Sequence, residues 1–327
     1  MKPRGRKSLL GFAAAAIASI AAVSIAAHGA VAESLKIASP QPGSWESAIA
    51  VLGKQQGIFQ KHGLDVEIVN TSGSGETLQA VIAGAVDIGL SVGTAGVLGA
   101  YAKGAPVRIV GASQTGSTDT YWYVVARSPI RSMRDANNAT IGYSTAGAST
   151  HVAVLRFIGS YGLKATPVSS GNPAATATQV MSGQIDVGWA VAPFQLDALN
   201  KGDIRLVARA SDIAAIREQT VRVQVANLRM IDDRKDVLDR YLKAYREALD
   251  WMYSGSEPIR LYGAFSGFSE PAIQRMLKDF IPKESLQMDR IDGIRESMSD
   301  AIQFKFLSAP LTEQQVAQLI RIPKAGN

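Results

Sequence analysis

The stretch Val81–Gly89 reads VIAGAVDIG, and Val180–Gly188, 99 residues further on, reads VMSGQIDVG. A phrase repeated at that distance calls for two similar units in one chain, and no other feature constrains the fold as strongly. In each copy, helical apolar spacing runs into a glycine, Gly84 or Gly183, that can close a helix in left-handed geometry at little cost. An aspartate follows, Asp87 or Asp186, suited to hydrogen-bonding backbone in a helix-to-strand turn. The strand that begins there carries Gly89 or Gly188, which leaves room for a close-packed backbone or a ligand. Paired carboxylates also perform acid–base chemistry. Here, however, each sits in the equivalent turn of its own unit, so both are assigned to building the turn.

The flanking sequence repeats as well. Around the first copy, LDVEIV alternates as a strand, ETLQAVIAG has helical spacing, VDIGLS is a strand, TAGVLGAYAKG a helix and VRIVGAS a strand. Around the second, TIGYS, STHVAVLRFIGSYG, ATATQVMSGQ, IDVGWA, FQLDALNKG and IRLVARA follow the same rhythm, with Gly63 and Gly162 each closing a helix. Gly84 to Gly104 spans 20 residues and Gly183 to Gly202 spans 19. Strands alternating with helices predict an α/β protein of two similar lobes, and 327 residues suit two domains.

Lys2, Arg4, Arg6 and Lys7 precede the apolar run LLGFAAAAIASIAAVSIAA, and Ala30-Val31-Ala32 supplies a small-x-small cleavage pattern. The run approaches a membrane-spanning length, but the Ala-rich composition and cleavage pattern favour a signal peptide over residues 1–32, removed after Ala32. Residues 1–32 hold four of the 34 Lys and Arg and none of the 28 Asp and Glu, which leaves +2 on the remainder. No basic block of the kind that binds nucleic acid remains. The chain has no cysteine, hence no disulfide and no lipidated cysteine anchor, and a Gram-negative periplasm fits a freely diffusing exported protein. Once His28 leaves, His62 and His151 are the remaining histidines and lie on separate segments, so no zinc site or Cys-His pair is expected. No Walker, dinucleotide or G-x-S-x-G motif occurs. No metal, cofactor or enzymatic activity is expected.

The stretch QGIFQKHGLDVEIVNTSGSGETLQAVIAGAVDIGLS resembles the first-lobe signature of the periplasmic solute-binding proteins of ABC importers for nitrate, sulfonates and taurine, a group similar to thiamine-pyrimidine precursor binders. ATIGYSTAGASTHVAVLRFI resembles the opening of their second lobe. DRYLKAYREALDWMYSGSE resembles their late helix, with Tyr241, Tyr245, Ala248, Leu249 and Met252 along one side. The resemblance covers essentially the whole chain after residue 32. It implies a type II periplasmic-binding-protein fold in which the chain crosses between lobes twice, near residues 120–126 and 221–228. Lobe one would comprise 33–124 plus 226–327, and lobe two 125–225. It further implies a monomer that closes its cleft on a small solute and delivers it to an inner-membrane permease.

In such sheets ligands gather at the carboxyl ends of the strands. Five stretches qualify: PQPGSWES, TSGSGE, SVGTAG, STAGASTH and GWAVAP, all rich in Ser, Thr and Gly. Helix N-termini there present unpaired N–H groups and partial positive charge, each contributing about 0.3–2 kcal/mol toward an anion. The expected anion donors are Ser74, Gly75, Ser91, Thr94, Thr145, Ser149 and Thr150, whose alternative role is plain helix capping. Gln114 adds an amide, and Trp45 and Trp189 are expected to wall the ligand, whereas Trp122 and Trp251 are assigned to the core. Glu76 is assigned to a helix start, Asp119 to an exposed turn, and His151 to a minor contact at the head group. The solute so described is a small organic anion, first an aliphatic sulfonate or taurine-like compound. A thiamine-pyrimidine binder, an enzyme on the same fold and a ligand sensor for a signalling receptor are the alternatives.

Overall fold

The computed structural model describes residues 32–323, and the signal segment expected over 1–32 lies outside them apart from Ala32. The chain opens with β1 (Glu33–Pro40), α1 (Trp45–Gln55), α2 (Ile58–Lys61), β2 (Leu64–Thr71), α3 (Ser74–Ile82), β3 (Ile88–Gly93), α4 (Thr94–Ala102) and β4 (Val107–Thr115). It continues with β5 (Thr120–Val125), β6 (Thr140–Tyr143), α5 (Ser149–Tyr161), β7 (Thr166–Ser169), α6 (Pro173–Met181), β8 (Gly188–Val191), α7 (Leu196–Lys201), β9 (Ile204–Arg209) and α8 (Ala214–Arg217). β10 (Thr220–Asn227) then leads to α9 (Leu228–Asp233), α10 (Lys235–Met252), α11 (Ser256–Ser266), α12 (Glu270–Asp279), α13 (Ile294–Gln303) and α14 (Glu313–Leu319).

The first sheet is ordered β2-β1-β3-β10-β4. The second half forms a β8-β5-β9 sheet and a β6-β7 pair, joined by a bridge between Ile141 and Val187. Its order is therefore β7-β6-β8-β5-β9, the same arrangement strand for strand. In each, one strand runs antiparallel to both neighbours: β10 against β3 and β4, β5 against β8 and β9. That strand is the one that arrives from the other half of the chain. The crossings lie a few residues earlier than the sequence suggests. β5 and β10 belong wholly to their sheets, because their residues are paired in ladders, and the passage is made by unpaired turns at 116–119 and 218–219. The two turns lie side by side, with Gly116 N donating to Gln219 O at 3.0 Å and Thr115 Oγ1 meeting Thr220 Oγ1 at 2.9 Å.

Each copy of the repeated phrase folds as helix, left-handed glycine and strand: α3, Gly84 at φ +71° and β3; α6, Gly183 at φ +77° and β8. The aspartates reach farther than a local turn. Asp87 Oδ2 accepts from Lys36 N of β1 at 2.8 Å, and Asp186 Oδ2 accepts from Thr140 N of β6 at 2.8 Å. Each thus ties its corner to the neighbouring strand of its own half, β1 or β6. Gly89 and Gly188 are where helix presses on strand: an added Cβ would sit 2.9 Å from Val81 at the first and 2.5 Å from Val180 at the second. Those valines are the first residue of each phrase, so the phrase encodes its own packing contact.

Apolar side chains fill both faces of each sheet. Tyr241, Tyr245, Ala248, Leu249 and Met252 of α10 are all buried, along the stripe that the spacing predicts. After α14, Ile320 bridges Ile109 and Arg321 N donates to Ile109 O at 2.7 Å, which covers the outer edge of β4. Among the described residues no helix is long and apolar enough to cross a membrane. Gly188→Ala is expected to lower unfolding free energy by about 1–3 kcal/mol through overpacking against Val180 and Tyr123. Gly159→Ala, on α5 with open space around it, should instead stabilise by about 0.5–1 kcal/mol. Denaturant titration of both variants checks the pair, and equal effects would contradict the packing account.

Candidate functional site

The carboxyl ends of the strands in the two sheets face one another. Gly75 N, in the first turn of α3, donates to Thr145 Oγ1 before α5 at 3.1 Å. Gly96 N, in the first turn of α4, donates to Gly147 O at 3.2 Å. The approach at Gly93 is so close that a Cβ there would lie 2.4 Å from Gly147 O. The loop before α1 meets Phe194, 3.4 Å from where a Cβ on Gly43 would stand. All five Ser/Thr/Gly-rich stretches therefore lie at this junction, and the N-termini of α3 and α4 from one sheet point toward the start of α5 from the other.

Beneath them is a buried charged centre. Arg222 of β10 places Nη2 at 2.6 Å from Asp119 Oδ2 and at 3.1 Å from Glu46 Oε2, with all three side chains under 10% exposed. Its Nη1 donates to Thr120 Oγ1 at 3.4 Å. Burial pushes the Glu46 carboxyl above its usual range, and Asp119 adds to the rise; Arg222 and the hydroxyls of Ser91 and Ser113 pull it back only in part. Burial opposes the charge on Arg222, but the two carboxylates outweigh it and hold its pKa above the ordinary value. The two shifts differ in what wins because Arg222 has two counter-charges, whereas Glu46 shares one cation with a second carboxylate. Several buried polar atoms at or beside this centre make no hydrogen bond of normal geometry: Glu46 Oε1, Trp45 Nε1, Gln114 Oε1 and Arg222 Nε, and the Ser113 hydroxyl stands near the Glu46 carboxyl without bonding it in good geometry. The Tyr253 hydroxyl is close enough to Trp45 to influence its own titration, yet it donates to Ile281 O at 2.9 Å and leaves Nε1 without a bond of normal geometry. Buried polar atoms without partners are rare in folded proteins.

The residues expected to bind divide by location. Trp45, Ser91 and Gln114 gather at the charged centre. Trp45 stands edge-on to Tyr262 with ring centroids 4.8 Å apart, Ser91 is held at φ +51°, and Gln114 is the ladder partner of Arg222. Ser74 and Gly75 meet Thr145 across the junction, with Ser74 buried. Thr94 and Ser149 line a cavity of ≈ 20 Å³ together with Gln219, Ser297 and Asp300, and Thr94 Oγ1 donates to Thr220 O at 2.6 Å. That cavity holds about one water molecule.

Other expectations are corrected. Trp189, expected at a cleft wall, is a core residue: its ring is enclosed in the second sheet and Nε1 donates to Ser170 Oγ at 3.1 Å, because β8 is a central strand with both faces covered. Trp122 is also core, donating to Gly142 O at 2.9 Å. The Thr150 hydroxyl accepts from Ser144 N at 3.0 Å and so holds the loop that precedes its own helix. Asp119 is buried against Arg222 and is no exposed turn residue. His151 accepts from Gly147 N at 3.3 Å, stacks on Tyr143 at 4.0 Å between ring centroids, and is pushed down to about 4 by burial, so it stays neutral. Glu76 does belong to its helix start, accepting from Ser72 N at 2.7 Å. Glu46 and Arg222 went unmarked in the sequence. Glu46 lies inside PQPGSWES, and Arg222 is the one cation in the otherwise buried strand TVRVQVAN, a charge out of place in an apolar ladder.

The chain is 24% identical over 272 residues to a Haemophilus influenzae protein provisionally named a thiamine biosynthesis protein, covering 80% of this chain and 84% of that one. Its structure is similar to the alkanesulfonate-binding protein SsuA of Xanthomonas axonopodis pv. citri bound to MOPS, with a TM-score of 0.75, 20% identity, and 89% and 98% of the respective chains covered. It is also similar to the periplasmic aliphatic sulphonate binding protein SsuA of Escherichia coli, with a TM-score of 0.69, 20% identity, and 90% and 94% covered. These likenesses establish the periplasmic-binding-protein fold. The family model described as NMT1/THI5 like matches residues 45–257, well over half of the chain, and the chain belongs to that family.

Proposed function

We propose that this protein is the periplasmic solute-binding component of an ABC-type importer, a binder and not an enzyme, released from residues 1–32 on export. Its two halves close about the paired crossings at 116–119 and 218–219 and present the enclosed solute to a permease. One observation carries the reading. The N-termini of α3, α4 and the α5 segment, from opposite sheets, converge over a buried centre whose carboxylate and indole retain unpartnered polar atoms. The helix ends favour an oxyanion, at about 0.3–2 kcal/mol each. The buried centre has two carboxylates for one guanidinium, so Arg222 is already neutralised and Glu46 Oε1 is available to a donor. A small zwitterion, with sulfonate or carboxylate at one end and an amino group at the other, meets both requirements. The likeness to sulfonate-binding proteins agrees with the anionic end.

A second reading has its own support. The similarity to the Haemophilus influenzae protein named for thiamine biosynthesis favours an aminopyrimidine, which would offer ring nitrogens and an amine to Glu46 and Trp45. Thermal shift of the refolded, ligand-free protein separates the two. A taurine-like aminoalkanesulfonate at a hundred times its dissociation constant should stabilise by about 2.7 kcal/mol, and the same sulfonate lacking the amine should bind roughly tenfold more weakly. A shift with pyrimidines and none with anions would replace the first reading with the second, and silence across both panels would count against solute capture of either kind.

Glu46 gives a sharper check. With its folded-state pKa raised above 4.5, the unfolded chain releases this proton first, so the native state loses stability as pH rises from the ordinary carboxylate range through the raised value. Glu46→Gln removes that loss. Its melting temperature relative to the parent should therefore improve as pH rises from the ordinary carboxylate range, while affinity for the amino-bearing solute falls roughly tenfold or more. A melting difference independent of pH would show that Glu46 does not carry this strain.

A further inference from the structure

A second buried ion pair lies away from the charged centre and joins the two halves directly. Arg156 sits on α5, two turns beyond its start, and Asp300 sits on α13, which packs beside α4 of the first half. Arg156 Nη2 pairs with Asp300 Oδ1; the Asp300 side chain is 1% exposed and that of Arg156 22%. Asp300 Oδ2 also accepts from Gln219 Nε2 at 3.2 Å, and Gln219 Oε1 accepts from Ser297 Oγ at 3.0 Å. Gln219 belongs to the second crossing, and its carbonyl accepts from Gly116 N of the first. An ion pair to α5 thus meets, at Asp300, a run of hydrogen bonds that reaches both crossings. The grip is reinforced on either side: Phe304 lies under the Arg156 guanidinium at 5.5 Å, and Phe306 meets the His151 ring edge-on at 5.3 Å.

This arrangement is sensitive to rotation about the crossings. Gln219 and Asp300 stay with the crossing and the first half, whereas Arg156 travels with α5. If α5 swings away, the carboxylate loses its counter-charge and keeps an amide as its remaining partner, so opening is penalised.

We propose that Arg156 and Asp300 form an inter-half latch that holds the closed arrangement independently of solute, and so sets the apparent affinity of the cleft. They are positioning residues, which touch no solute. The latch rests on the two-lobed closure proposed above and adds to it that closure is biased from within the protein. A protein already closed in part gives up solute slowly, and weakening the latch lowers apparent affinity by the fraction of closed form lost.

The test measures distance without any ligand. The chain has no cysteine, so Ala85→Cys and Gln184→Cys, exposed at equivalent corners of the two halves, accept a spin-label or dye pair cleanly. The parent should show chiefly the short distance. Asp300→Asn, which keeps the shape, and Arg156→Gln, at a part-exposed site, should each move the closed-to-open ratio at least tenfold toward the long distance. The swapped pair Arg156→Asp with Asp300→Arg should recover part of it. Variants that melt earlier but keep the parental distance distribution would overturn the latch and leave an ordinary structural ion pair. A shifted distribution in a protein that binds none of the screened solutes would leave the latch standing and count against the solute-capture reading instead.

Discussion

A guanidinium buried in the middle of a β-sheet has to be answered by charge, and the answer organises this molecule. Arg222 stands on β10, between β3 and β4 in the first sheet, where its neighbours along the strand are apolar and enclosed. Its counter-charges come from elsewhere: Glu46 from the first turn of α1 and Asp119 from the turn that leads into the second sheet. Removing one member of such a buried set typically costs about 3–5 kcal/mol, because what remains is charge without solvent or partner. The pairing therefore fixes the strand, the helix start and the crossing turn relative to one another. It does so at the junction onto which every Ser/Thr/Gly-rich loop opens.

Around that centre the two halves are equals in construction. The same helix-glycine-strand corner occurs in both, and in both the aspartate binds the backbone of a neighbouring strand, β1 or β6, and not its own turn. The corner is thus held from two directions, by the carboxylate at its outer end and by the valine-on-glycine contact at its inner end. Rigid halves joined by two short adjacent turns are the usual condition for hinge motion, since the flexible segment is confined to a few residues.

What the sequence reveals follows from the range over which each feature is determined. Helix stops at Gly84 and Gly183 and the buried stripe of α10 depend on neighbours within a few residues, and periodicity exposes them. The five loops at the junction were also legible, because strand ends followed by helices lie on one side of such a sheet by topology alone. Trp189 misled because its loop-side position in the chain says nothing of the second layer of helices that closes over β8. Asp119 and Arg222 were hidden for a related reason: each looks solvent-bound or misplaced alone, and only the fold brings them within 2.6 Å. The lobe boundaries were displaced for the opposite reason, since β5 and β10 read as apolar runs that suit a crossing as well as a ladder.

The matching strand orders also make the halves unequal in time. The second sheet is assembled from one uninterrupted stretch, β5 through β9, whereas the first lacks the strand between β3 and β4 until residues 220–227 have been made. Until then β4 has no partner joining it to β1–β3, and its outer edge waits still longer, for Ile320. A chain emerging from its N-terminus can thus complete its second sheet before its first, and the first closes only over a long intervening loop. Such non-local pairing is the slow step in folding. The half that begins first is the half that finishes last.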